Sequence, residues 1–131
     1  MLSTTARNAS DTNPYITFGT DAQSVSLTGA SMITGTVKNT AGTVIGTVSY
    51  QLTGQLNTLY RVAMVCSSNA ITLFLNGAQV ATAAVSAGTV SGKNLNLTSA
   101  ARSAALSRDF QVQNARMWFN TVLTDKQIST L

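Results

Sequence analysis

Apolar and polar residues alternate along the middle of this chain with a period of two, which is the period of a β-strand that has one buried face. The pattern is clearest in residues 60–66 and 70–75, which are separated by the turn residues Ser67-Ser68-Asn69. A second turn follows at Asn76-Gly77 and leads into residues 78–82. Asn-Gly favours a two-residue type I′ turn, because both central positions of that turn need a positive φ. These segments are therefore predicted to form three consecutive antiparallel strands.

Further alternating segments predict strands on both sides of this region. They comprise residues 15–18, 24–28, 32–38, 43–50, 95–97 and 111–119. Residues 85–94 fit either a loop or a weak edge strand, and residues 100–107 fit either a helical turn or a loop. Residues 1–14 are polar and end at Pro14, which favours an extended arm. The sequence thus predicts an N-terminal arm at residues 1–14 and a single β-domain at residues 15–131.

A short helix is predicted at the end of the chain, at Thr124–Leu131. Thr124 and Gln127 have the spacing of a capping box, in which the threonine hydroxyl accepts the Gln127 backbone N–H and the glutamine side chain reaches back. Leu123 and Ile128 flank this box, where two apolar side chains can close over the first turn. A helix of about two turns does not persist alone, so it is expected to lie against the sheets.

Two of these motifs resemble the C-terminal half of the laminin-G-like, or concanavalin-A-like, jelly-roll modules. Those modules carry a strand and turn of the form I-x-L-Y-x-N-G, and residues 71–77 read ITLFLNG, with Phe74 in the tyrosine position. They end in Y-N-x-x-L-(S/T)-x-x-(E/Q)-I-x-x-L, and residues 119–131 read FNTVLTDKQISTL, with Phe119 in the tyrosine position. The resemblance covers residues 60–131 in outline. It implies an all-β fold, an antiparallel two-sheet β-sandwich of the jelly-roll type with a short C-terminal helix.

The titratable residues exclude most catalytic chemistry. The chain has no histidine and no glutamate, and its acids are four aspartates. A serine-histidine triad, a cysteine-histidine pair and a histidine-ligated metal are therefore ruled out, and a pair of apposed carboxylates for glycoside hydrolysis is not expected. We predict a protein that is not an enzyme and needs no cofactor. Calcium, a common metal of the resembling modules, has only Asp21 and Asp109 as weak candidate ligands.

The charge and the hydropathy of the chain limit the classes of partner that the sequence predicts. The chain has a net charge of +4, and its eight basic residues are spread along the sequence. A nucleic-acid-binding protein usually gathers its basic residues in a patch or stripe, so no nucleic-acid partner is predicted. No apolar run is long enough to span a membrane, and the first residues do not form a signal peptide, which predicts synthesis in the cytoplasm without export by that route.

The single cysteine, Cys66, shares a strand face with Tyr60, Val62 and Met64, which predicts a buried, inert thiol.

Sugar binding would need an exposed aromatic ring with polar neighbours. Trp118, Arg116 and Asn114 share one face of the predicted strand at residues 111–119, and Tyr50 is a second aromatic candidate. Trp118 can be a stacking platform for a glycan, or it can fill a second apolar layer under the terminal helix. The sequence leaves both interpretations open.

The chain is shorter than most modules of the resembling family, so its sheet edges are expected to be incompletely covered, and assembly with itself or with a larger scaffold would cover them. Our first hypothesis is a non-enzymatic bacteriophage virion structural protein, a capsid decoration or cement protein or a component of a fibre or spike. Such a protein assembles in the host cytoplasm and ends on the virion surface. The alternative is an extracellular, glycan-binding adhesion or receptor-binding module.

Overall fold

The computed structural model of the protein describes residues 14–20, 22–28, 32–53, 59–90, 96–99, 116 and 123–130. These residues form eight strands and one helix. The strands are β1 (Pro14–Gly19), β2 (Gln23–Thr28), β3 (Met32–Lys38), β4 (Val44–Gln51), β5 (Val62–Cys66), β6 (Ala70–Leu75), β7 (Ala78–Ala84) and β8 (Asn96–Ser99), and the helix is α1 (Asp125–Ser129). The fold class is all-β, as the alternating pattern predicts.

The strands form two antiparallel sheets. The larger sheet has five strands in the order β4-β3-β2-β1-β8, so that its first four strands are a meander and β8 returns to pair with β1. The smaller sheet has three strands in the order β5-β6-β7. Most of the paired strands are consecutive in sequence, which is the arrangement that short connections favour.

The two hairpins of the smaller sheet follow the turn chemistry of their residues. Asn76 has φ +52° and Gly77 has φ +86°, and Leu75 pairs directly with Ala78, which confirms the predicted two-residue turn. The Asn76 side chain also accepts the Arg61 backbone N–H at 3.0 Å. At the other hairpin, the Ser67 backbone N–H donates to the carbonyl of Ala70 at 2.8 Å.

The main core lies between the two sheets. Both sheets contribute buried residues to one apolar cluster, which comprises Leu27, Ile33, Val37, Val48, Leu52, Tyr60, Ile71 and Leu73. Val62, Met64 and Cys66 pack against this cluster from β5, which confirms that they share a face with Tyr60. The two sheets are therefore layers of one antiparallel β-sandwich, whose interior is built from the inward positions of each strand.

After β7 the chain crosses to the edge of the larger sheet. The Ser86 backbone N–H donates to the Ile45 carbonyl at 2.8 Å, and the Thr40 backbone N–H donates to the Thr89 carbonyl at 2.9 Å. Residues 85–90 contain no strand, so in this part of the predicted segment 85–94 the loop alternative is the one found. The crossing closes the sandwich beside the first residues of β4.

Helix α1 begins after Thr124 with both halves of the predicted capping box. Thr124 Oγ1 accepts the Gln127 backbone N–H at 3.4 Å, and Gln127 Oε1 accepts the Thr124 backbone N–H at 2.9 Å. Ile128 is buried, and the helix lies against β7. The short helix is therefore held by its cap and by contact with the smaller sheet.

The observed elements bear out the prediction of an antiparallel two-sheet sandwich with a short C-terminal helix. Strand β1 begins at Pro14, so one residue assigned to the predicted arm belongs to the sandwich, and proline is compatible with the first position of a strand. The rest of the predicted arm and residues 100–107 lie outside the described residues. So does the predicted strand at 111–119, apart from Arg116.

Candidate functional site

The predicted sugar-stacking residue Tyr50 lies on the inner side of the larger sheet. It is on β4 opposite Ile33, it is half-buried, and it packs against the core cluster. A tyrosine in this position contributes its ring to the contact between the sheets. Only the remaining part of the ring is accessible to a ligand, which is less than a stacking platform usually presents.

The other sequence-predicted site residues are not brought together by the described structure. Arg116 is exposed. Trp118, Asn114, Asp21 and Asp109 lie outside the described residues, so the glycan-contacting face and the weak calcium ligands stay predictions. Within the described parts of the chain, no group of three or more histidine, cysteine, aspartate or glutamate residues is placed to hold a metal ion.

The turn before β2 is organised by a hydroxyl group. The Thr20 hydroxyl accepts the backbone N–H of Gln23 at 2.9 Å and that of Ala22 at 3.2 Å. Thr20 is itself buried, and its backbone N–H donates to the Gln23 carbonyl at 2.6 Å. This turn is therefore stabilised by bonds within the chain itself.

The outer side of the larger sheet carries a regular array of hydroxyl groups, which we call the hydroxyl face. Its members are outward-facing serines and threonines on four neighbouring strands: Thr17, Ser24, Ser26, Thr34, Thr36, Thr47 and Ser49. The strand register aligns them in two rows, one running Thr17-Ser26-Thr34-Ser49 and the other Ser24-Thr36-Thr47. Neighbouring strands of such a sheet are about 4.8 Å apart, which brings the side chains of one row close to each other.

The hydroxyl face is uncharged and makes hydrogen bonds within itself. Thr34 Oγ1 and Ser49 Oγ are 3.1 Å apart across β3 and β4. Ser26 Oγ donates to the Thr34 carbonyl at 3.4 Å. No member of the face is a base that could activate a hydroxyl as a nucleophile. The chemistry available to this face is therefore hydrogen bonding and contact.

The hydroxyl face has a signal in the sequence, an alternation of hydroxyl residues with core-facing residues, but this alternation is not a recognisable motif. Ser24 and Ser26, Thr34 and Thr36, and Thr47 and Ser49 occupy alternate positions whose intervening residues face the core. Threonine is frequent at exposed strand positions in any case, so the pattern looks like ordinary strand propensity until the register aligns the strands.

The interior of the sandwich also contains a thiol, that of Cys66, and a phenol hydroxyl, that of Tyr60. Cys66 is half-buried, and burial raises the pKa of its thiol from 9.0 to about 11, so the thiol stays protonated at neutral pH. A protonated thiol is a poor nucleophile, which agrees with the predicted inert role. Tyr60 is buried in the core, and its hydroxyl has no hydrogen-bond partner within the described residues.

No protein-family model matches this chain, and comparison with curated proteins finds no match. The resemblance to laminin-G-like modules therefore stays a prediction, and two antiparallel sheets alone do not identify that family. No helix in the described ranges is long and apolar enough to cross a membrane.

Proposed function

We propose that this chain is a non-enzymatic structural protein of a bacteriophage virion, acting through protein-protein contacts as a capsid decoration or cement protein or as part of a fibre or spike. The proposal includes its place on the virion surface after assembly in the host cytoplasm. Its partners are other virion proteins or further copies of the chain itself.

The observation that carries the proposal is the hydroxyl face. Its seven uncharged side chains extend over four strands, with Lys38 beyond them at the end of β3, and because they are short, ordering them against a partner costs little conformational entropy. Each hydroxyl group is both a donor and an acceptor, so such a surface can form many hydrogen bonds to another protein.

The composition supports the same proposal. Only 9% of the residues are charged, and the polar surface is supplied mainly by small hydroxyl and amide side chains. The laminin-G-like resemblance adds an expectation of extracellular contacts, which a protein on the virion surface can make.

The alternative is a glycan-binding adhesion or receptor-binding module. The exposed side chain of Arg116 favours it, because the alternation of residues 111–119 puts Arg116 on the same predicted face as Trp118 and Asn114. The half-buried position of Tyr50 against the core counts against a second stacking ring.

Purification of phage particles tests the proposal directly. Particles produced by the genome that encodes this chain are banded on a density gradient, and their proteins are identified by mass spectrometry. We expect the chain to band with the particles in a copy number comparable to those of the structural proteins. A chain that stays in the unbanded lysate, encoded away from capsid, portal and tail genes, would contradict the proposal.

A glycan array separates the two candidate functions. A virion protein that works through protein contacts is expected to give no retention above background on the array. Retention of one glycan class that is lost in Arg116→Ala, with no change in melting temperature, would support the adhesion module instead.

A further inference from the structure

The pairing of β5 with β6 ends at a rung that uses a side chain. Val62 pairs with Leu75, so the next residue of each strand, Arg61 or Asn76, lies opposite the other. The Asn76 backbone N–H donates to the Arg61 carbonyl at 2.8 Å, and the Arg61 backbone N–H donates to Oδ1 of the Asn76 side chain at 3.0 Å. In an ordinary antiparallel pair this second acceptor is a backbone carbonyl. The Asn76 side-chain amide therefore completes the last rung before the turn.

The residue after this rung makes the same amide chemically labile. When the backbone N–H of Gly77 gives its proton to a base, the nitrogen can attack Cγ of Asn76. A bond forms between that nitrogen and Cγ, the bond from Cγ to Nδ2 breaks, and Nδ2 takes up a proton and leaves as ammonia. The product is a succinimide ring. Glycine favours this attack because no side chain screens its nitrogen.

Asn76 is the asparagine of this chain that fits the reaction best. It is exposed, so water and base can reach it, and Asn76-Gly77 is the only Asn-Gly pair in the sequence. Asn39 and Asn69 also lie in turns, but they precede a threonine and an alanine, whose side chains hinder the nitrogen. Asparagine is a thermolabile residue in general. Its lability in this chain is therefore concentrated at one turn.

The folded turn holds the two reacting atoms apart. Asn76 has φ +52°, in the left-handed region where ψ is about +30 to +60°. In that conformation the Gly77 nitrogen lies on the far side of the Cα–C bond from Cβ. Closing the ring needs this nitrogen on the same side as Cβ, which is about half a turn away around that bond. Such a rotation separates the pair of Leu75 and Ala78 and displaces Oδ1 from Arg61.

We propose that Asn76 is a site of spontaneous deamidation whose rate is controlled by the hairpin of β6 and β7. The closed hairpin blocks the reaction, and only molecules in which this hairpin has opened form the succinimide. The extent of deamidation is thus a chemical record of how often this end of the smaller sheet opens. The inference does not rest on the proposed virion role.

Hydrolysis of the ring gives two products with different consequences. Water adds its hydroxyl group to a ring carbonyl carbon and a proton to the Gly77 nitrogen. Cleavage at Cγ gives aspartate, which keeps an oxygen to accept the Arg61 N–H. Cleavage at the Asn76 backbone carbonyl carbon gives isoaspartate, which lengthens the main chain by one atom. A two-residue turn does not accommodate a longer main chain, so isoaspartate is expected to disturb the pairing of Leu75 with Ala78.

Ageing of the full chain in mildly alkaline buffer, with and without guanidinium chloride, tests the site. Peptide mapping by mass spectrometry measures the deamidated fraction at each asparagine. In denaturant Asn76 is expected to react faster than Asn69, which is the turn residue of the neighbouring hairpin. In the folded chain Asn76 is expected to react at least about tenfold more slowly than in denaturant. Equal rates in the two conditions, or a faster reaction at Asn69 in denaturant, would overturn the proposal.

Two alanine variants separate opening of the hairpin from unfolding of the whole sandwich. Thr82→Ala removes a hydroxyl that lies 3.1 Å from that of Thr72, across β6 and β7. Ser49→Ala removes the equivalent contact with Thr34, also 3.1 Å, in the larger sheet. Neither variant changes the Asn-Gly pair, so both should react like the wild type in denaturant.

In the folded chain the two variants are expected to differ. Thr82→Ala should quicken deamidation of Asn76 about two- to fivefold, because a cross-strand pair of this kind stabilises the closed hairpin by a comparable factor. Ser49→Ala should leave the rate at the wild-type value. Equal acceleration by the two variants would show that global unfolding controls the reaction. That result, or no acceleration in Thr82→Ala, would overturn the role of the hairpin.

Melting temperatures test the predicted consequence of the two products. Asn76→Asp reproduces the aspartate product and is expected to melt close to the wild type. The isoaspartate form, isolated by chromatography from chain aged in denaturant and refolded, has the same charge and is expected to melt at a lower temperature. Equal melting of the two would overturn the predicted disturbance of the turn. A chain absent from phage particles would contradict the proposed virion role and leave each of these measurements valid.

Discussion

A Cβ atom at Gly35 would lie 2.7 Å from Sδ of Met64, which reaches Gly35 from the opposite sheet. Val48 and Ile71 would also be close to that atom, at 3.1 and 3.2 Å. The absence of a side chain on β3 at this point therefore lets the two sheets approach each other over the core.

The first prediction concerns this contact. Gly35→Ala is expected to lower the free energy of unfolding by about 1–3 kcal/mol, because the added methyl group forces Met64, Val48 and Ile71 to shift. Urea denaturation monitored by circular dichroism measures the loss. The double variant Gly35→Ala/Met64→Ala is the control, since removing the methionine side chain should make the alanine at position 35 less costly. Additive effects of the two changes would contradict the proposed contact.

The Asn76-Gly77 turn gives the second prediction. Gly77 has φ +86°, a conformation that a β-branched residue resists. Gly77→Val is expected to cost about 1–3 kcal/mol of stability in urea denaturation. Gly77→Asn is the matched control, because asparagine tolerates positive φ, and it should cost clearly less. Equal losses for valine and asparagine would show that the side-chain volume, and not the backbone conformation, limits this position.

The local part of the fold could be predicted from sequence because its signals are local. The segments 32–38 and 70–75 are strands with the predicted bounds, and the Asn76-Gly77 turn and the Thr124 cap each depend on residues a few positions apart. Alternation, turn conformation and capping are short-range effects, so a single sequence contains them.

The parts of the fold and of the candidate site that could not be predicted depend on contacts between residues far apart in sequence. The pairing of β8 with β1 and the bond from Ser86 to Ile45 join segments that no local pattern connects. Tyr50 is an example among the candidate site residues. Its strand could be predicted from the alternating pattern, but its contact with the core depends on the facing sheet. The hydroxyl face likewise becomes visible only once the strand register is known.

The cap of the terminal helix gives the third prediction. Thr124→Ala removes the oxygen that accepts the Gln127 N–H and is expected to destabilise α1 by about 1 kcal/mol. The Ile128 N–H donates to the Thr124 carbonyl at 3.0 Å, so its hydrogen exchange reports the stability of the first turn. Exchange at Ile128 should quicken in Thr124→Ala and stay slow in Thr124→Ser. Unchanged exchange in the alanine variant would mean that packing alone holds the helix.

The fourth prediction uses the titration of Cys66. Burial raises the pKa of its thiol from 9.0 to about 11, so the folded state binds this proton more tightly than the unfolded state does. The stability that this proton provides is complete below about pH 9 and is lost as the pH rises toward 11. Cys66→Ala should lack this component, so the stability difference between wild type and variant should change between those pH values.

A thiol reagent gives an independent measurement of the same group. At neutral pH the folded chain is expected to react slowly with the reagent, and the chain in denaturant is expected to react fast, because the thiolate is the reactive form. Fast reaction in the folded state would show that the thiol is more exposed and more acidic than its position against the core implies.

The last prediction separates the two interpretations of Trp118. In a structural virion protein Trp118 belongs to an apolar layer, and Trp118→Ala should cost about 3–5 kcal/mol, as large aromatic truncations in a core do. In a glycan-binding module the same change should abolish glycan retention and leave the melting temperature nearly unchanged. Arg116→Ala is the matched variant: because Arg116 is exposed, it should leave stability intact in either case and affect retention only in the second. We expect the loss of stability, and a folded Trp118→Ala chain that no longer binds its glycan would overturn the structural interpretation.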